Sequence, residues 1–214
     1  MSEAGWLICC EPLPMLDFLR GKASDRKLRL FVAHGVARFA SVFGADQNVL
    51  AELHVRVAEG DATEEDLERF LLSNMPELWE NRAPGGNLPP VWDSARMAAR
   101  ERFKLVPLHA SDIATPDERA TENAEMCTEL RCIFGNPFRI SLRLSTTVLA
   151  WNDGTVLRIA EGIYADRAPE RLPVLADALL DAGCDNEELI QHFRSSGPHV
   201  IPGCWAVDLI MGRH

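Results

Sequence analysis

The sequence predicts a mainly α protein, a compact bundle of about eight to ten short amphipathic helices with at most a minor strand or hairpin. Three observations carry this. Apolar residues recur at three- and four-residue steps along most of the chain, helix starts and stops are marked by capping residues, and only one stretch alternates with the period of a strand. The chain has 214 residues, of which 47% are apolar and 25% charged, the balance of an ordinary domain large enough to bury a core without disulfides or metal.

Ser2 is placed to cap a short helix carrying Trp6, Leu7 and Ile8, which Pro12 ends. A turn from Pro14 to Arg20 sets Leu16, Phe18 and Leu19 together before Gly21. Ser24 then caps a long helix whose stripe is Leu28, Phe31, Val32, Val36, Phe39, Ala40 and Phe43. Val49, Leu50, Leu53 and Val57 form the next stripe, closed by Gly60. The acids of Asp61 to Asp66 then sit at the positive end of a helix through Leu67, Phe70 and Leu71. From Met75 to Trp92 the prolines and glycines predict a long loop. That loop is the candidate sub-boundary, over 76–92, of a single integrated domain 1–214, between halves 1–75 and 93–214.

Thr115-Pro116-Asp117-Glu118 spells a helix start with a capping box, and Gly135-Asn136-Pro137 spells its end. Ile140, Leu142 and Leu144 alternate with Ser141 and Arg143, the one strand-like period. Asn152-Asp153-Gly154 fits either a hairpin turn or a helix start, and the recurrence of Val156, Ile159, Ile163 and Tyr164 favours the helix. Leu172, Leu175, Ala176, Leu179 and Leu180 make another stripe. Asp185 with Glu188 reads as the capping box of a last helix carrying Leu189, Ile190 and Phe193.

A net charge of −10 disfavours a surface that tracks nucleic-acid phosphates. No run approaches the roughly 20 apolar residues of a membrane span, and the N-terminus lacks the basic start of a signal peptide, so a cytoplasmic location is expected. The six cysteines are accordingly expected as free thiols, with Cys9 and Cys10 as buried small hydrophobes. No nucleophile elbow, phosphate loop, dinucleotide fingerprint or H-E-x-x-H pair is present.

The densest set of metal-ligand side chains is Cys184, His192, His199 and Cys204, separated by seven, six and four intervening residues. Two cysteines and two histidines suit tetrahedral zinc. His192 lies far along the helix that follows Cys184, about 10 Å at 1.5 Å per residue, so His192, His199 and Cys204 are the easier subset. Asp208 or Glu188 would be its general base if the metal were catalytic. A Cys204–His199 nucleophile pair needs an adjacency that spacing alone does not give. Cys127 and Cys132, five apart on one helix, point in different directions and read as packing.

Both ends of the chain carry longer signatures. Glu11 to Leu16 (EPLPML), Phe18 to Phe31 (FLRGKASDRKLRLF), Trp151 to Val156 (WNDGTV), Gly197-Pro198-His199, Gly203-Cys204-Trp205 and Asp208-Leu209 resemble a large set of uncharacterised planctomycete proteins. The resemblance covers perhaps half the chain and implies one integrated unit, with no activity attached. Members of that set often carry cysteines after the Leu-Arg-Leu-Phe run. Here Val32 to Arg38 holds none, which argues against a metal or redox role for that region.

The expected function is therefore non-enzymatic, a module that binds another protein through Trp79 and Trp92 of the loop and Trp205 of the tail. The alternative is a zinc-dependent hydrolase or a structural zinc site built from the C-terminal cysteines and histidines. No cofactor other than zinc is expected.

Overall fold

In a computed structural model of the chain, residues 1–38, 45–74, 88–101, 115–139 and 143–213 are described. Among them are eleven α-helices and one 3-10 turn, with no strand, so the mainly α architecture is as predicted. No helix among the described residues is long and apolar enough to cross a membrane. These residues fall into two compact units, Met1–Cys127 and Thr128–His214. The division comes inside a helix, at a place where the sequence carries no boundary signal. Residues 75–87 of the Pro/Gly-rich stretch, with Trp79, lie outside the described residues, as do Phe39, Ala40, Phe43 and Ile140 to Leu142.

The first unit is built on α3 (Asp25–Arg38), against which α4 (Ala45–Glu59) and α6 (Val91–Glu101) both pack. Two neighbours bury more than one face of α3, so Leu30 and Ala33 join the predicted Leu28, Phe31, Val32 and Val36 in the core. α1 (Glu3–Ile8) is capped as read, with Ser2 Oγ accepting the Gly5 N–H at 3.1 Å. It buries Trp6, and α2 (Pro12–Leu19) buries Met15, Leu16 and Leu19. α5 (Glu64–Asn74) opens on a reciprocal cap in which Asp66 accepts the Thr63 N–H at 3.0 Å and Thr63 Oγ1 accepts the Asp66 N–H at 3.2 Å.

Two expectations here need correction. Trp92 is not a loop residue but lies half-buried in the first turn of α6. The Pro90 carbonyl accepts the N–H groups of Asp93 and Ser94, at 2.9 and 3.1 Å, so the prolines that forbid a preceding helix also launch this one. Cys9 and Cys10 are not buried. Cys10 is exposed and Cys9 intermediate, because they occupy the short connection between α1 and α2.

α7 (Pro116–Phe134) starts at the predicted capping box, with Glu118 accepting the Thr115 N–H at 2.7 Å and Thr115 Oγ1 accepting the Glu118 N–H at 3.3 Å. Its last turns belong to the second unit, where α8 (Thr146–Asp166) packs on α9 (Leu172–Asp181) and α11 (Trp205–Met211). α10 (Glu187–Arg194) packs on α9 and α11 in turn. Val156, Ile163, Leu172, Leu175, Leu179, Leu189 and Phe193 form a core without exposure. α8 is broken at Asn152-Asp153-Gly154, three successive left-handed residues with φ of 48°, 55° and 76°, at the residue types that tolerate that region. The helix resumes after Gly154, which bears out the helix reading over the hairpin.

The cap of α10 is Asn186, whose Oδ1 accepts the Leu189 N–H at 2.9 Å, and not Asp185. Asn186→Ala should therefore lower stability by about 1 kcal/mol, while Asp185→Ala should leave it within about 0.5 kcal/mol. Denaturant midpoints of the two variants check this, and equal losses would sink the assignment.

Candidate metal centre

Four side chains of the second unit converge. Cys132, His192, His199 and Cys204 present ligand atoms that all lie within 4.8 Å of one another. Each is placed by local sequence. Cys132 sits in the last turn of α7, which Gly135 ends at φ 64° with its N–H on the Arg131 carbonyl at 2.9 Å. A Cβ at position 135 would meet the Trp205 indole at 3.0 Å, so glycine also lets the start of α11 come close to the end of α7.

His192 lies in the last turn of α10, beside the buried Leu189, Ile190 and Phe193. Ser195 closes that helix with its N–H on the His192 carbonyl at 3.3 Å. The chain between Ser195 and Cys204 is irregular, as Pro198, Pro202 and Gly203 require. Within it Val200 is buried, and its N–H donates to Cys132 Sγ at 3.3 Å. Cys204 is the N-cap residue of α11, and its carbonyl accepts the Asp208 N–H at 2.9 Å.

His192 Nε2 is 3.1 Å from Cys204 Sγ and 3.9 Å from Cys132 Sγ, and His199 Nδ1 is 4.0 Å from Cys132 Sγ. The imidazole rings meet edge to face, with centroids 4.9 Å apart. Burial pushes the Cys204 thiol up, but hydrogen bonds from Cys132, His192 and His199 and the charge of His192 outweigh it and hold the thiol well below its usual range. Burial pulls His199 down, yet its bonds to Cys204 and to the Ser195 carbonyl, with the Cys204 charge, carry it above its ordinary value. The shift at Cys204 favours its thiolate, the form in which a cysteine binds a metal.

The donor set fits zinc. With Zn–S near 2.3 Å and Zn–N near 2.0–2.1 Å, the edges of an S₂N₂ tetrahedron are about 3.3 to 3.8 Å; three of the observed separations, 3.1, 3.9 and 4.0 Å, straddle that range and all lie within 4.8 Å. Set against family models, curated proteins and solved structures, the chain matches none of them.

Three of the four predicted ligands, His192, His199 and Cys204, come together. Cys184 is not in the group. It is buried just past the end of α9, its N–H on the Leu179 carbonyl at 2.9 Å, and the first turn of α10 separates it from His192. Cys132, read as packing, supplies the fourth position instead. The general-base candidates are not among the four. Asp208 is buried in α11, and Glu188 accepts from Arg139 at 3.1 Å. Cys204 and His199 do meet, but Cys204 has no exposed surface, which removes the access a nucleophile needs. Trp205, read as a partner contact, lies against His192 with the rings tilted at 54° and their centroids 5.3 Å apart.

Proposed function

We propose that the C-terminal unit holds a zinc ion through Cys132, His192, His199 and Cys204, and that the ion is structural. The observation that carries this is the convergence of four ligand atoms from separate segments of the chain within 4.8 Å. Catalytic zinc keeps a position open for water, whereas structural zinc takes all four ligands from the protein. Both cysteines here are buried, and the full set closes the coordination sphere. This supports a metal staple over a hydrolase. It also agrees with a non-enzymatic protein that acts by binding a macromolecule, for which the staple fixes the end of α7, the end of α10 and the start of α11 in one arrangement.

Elemental analysis of untagged protein should return about one zinc per chain. Cobalt exchanged into the site should show the absorption of tetrahedral cobalt thiolate. Cys132→Ser should abolish both signals and Cys184→Ser should preserve them. Absence of metal in protein purified without chelators and supplied with zinc, or retention by the Cys132 variant, would overturn the reading.

A further inference from the structure

The structure assigns Ser195 as the positioning residue that sets His199 to bind through Nδ1, the opposite ring nitrogen to the Nε2 that His192 presents. This rests on the zinc reading of the site. The donor and acceptor count around Ser195 carries it. Its hydroxyl donates to the His192 carbonyl at 2.8 Å, which uses its only proton. The hydroxyl oxygen can then only accept, and it lies 3.3 Å from His199 Nε2. The Ser195 carbonyl, which can only accept, lies 3.3 Å from the same nitrogen. His199 Nε2 therefore bears the ring proton, shared between two oxygens of one residue.

A neutral imidazole with its proton on Nε2 has its lone pair on Nδ1, the nitrogen that faces Cys132 Sγ at 4.0 Å. His192 has the opposite sense, with Nε2 turned to Cys204 and Cys132. A hydrogen bond to the far nitrogen of a ligating histidine sets its tautomer and ring orientation. Ser195 does this for His199 and at the same time holds the carbonyl of His192, so one exposed side chain ties both nitrogen ligands.

The test is long-range proton–nitrogen NMR on the zinc-bound full chain, together with zinc competition titrations of wild type, Ser195→Ala and Ser195→Thr. The expected spectrum has His199 metallated at Nδ1 and protonated at Nε2, and His192 metallated at Nε2. Ser195→Ala keeps the backbone acceptor, so zinc affinity should fall about tenfold, the lower end for a lost outer partner. The His199 Nε2–H should also exchange faster with water. Ser195→Thr, which retains the hydroxyl, should restore both. Ser195 is exposed, so circular dichroism should match wild type throughout. Metallation of His199 at Nε2, or an unchanged affinity in Ser195→Ala, overturns the assignment while leaving the zinc site intact. A wild-type chain that takes up no zinc overturns both.

Discussion

Stripping the metal should lower the melting temperature of the C-terminal unit by about 20 °C or more. Structural zinc contributes about 10–16 kcal/mol in small zinc-binding peptides. Here part of the site is held without it, because α10 and α11 pack on each other and Phe193 and Leu189 are buried in the same core. Taking only about 5 kcal/mol for the metal, at 4–8 °C per kcal/mol for a domain of this size, gives that shift. The loss should concentrate in the irregular chain from Ser195 to Cys204, which has no helix of its own. There Val200 is tied to the Cys132 sulfur. Melting curves before and after chelation, followed by the fluorescence of Trp205 beside His192 and by circular dichroism, measure it. Cys204→Ser should reproduce the chelated curve. A melt unmoved after metal analysis shows complete removal would refute a structural role.

The second large effect is expected from Gly135→Ala. Two independent costs meet at this residue. Its φ of 64° is a left-handed conformation that costs an L side chain about 1–2 kcal/mol. The new methyl would also stand 3.0 Å from the Trp205 ring, tight enough to force a shift worth about 1–3 kcal/mol. Together they predict a loss of about 2–5 kcal/mol. Gly183 supplies the control. Its φ is 77°, but nothing lies within 4 Å of a Cβ there, so Gly183→Ala should show the backbone cost alone. The difference between the two variants then reports the approach of Trp205 to the end of α7. Because that approach sits beside Cys132 and His192, Gly135→Ala should also weaken zinc binding, and Gly183→Ala should not. Equal losses in stability would mean that the Trp205 contact contributes nothing.

Much of this was legible in the residues. Thr115 with Glu118 is a reciprocal cap in sequence and in structure. The stripe through Leu172, Leu175, Ala176 and Leu179 is the core of the second unit. Where reading failed, competing physics explains it. Proline and glycine between Met75 and Trp92 hid the helix that begins at Val91, since Pro90 serves a start as readily as a stop. Asn186 displaced Asp185 as a cap because both are good caps and the helix begins one residue later than its acids suggest.

The candidate metal site divides along the same line. His192, His199 and Cys204 fall within one short span, and spacing alone nominates them. Cys132 could not be nominated that way. Its neighbour in sequence, Cys127, is on the same helix, whereas its partners come from α10 and the chain beyond it. The local signal it does carry is its position in the last helical turn, just before a capping glycine, where a side chain can face whatever packs against the helix end.

The distance along the chain from Cys132 to its partners also sets an order of assembly. His192 follows Cys132 by 60 residues, a delay of about 3 to 12 s at ribosomal speeds of 5–20 residues per second. For that time the nascent chain carries a thiol whose partners have not been made. With zinc held as proposed, the coordination sphere would close only once Cys204 had been added, 72 residues after the first ligand, Cys132.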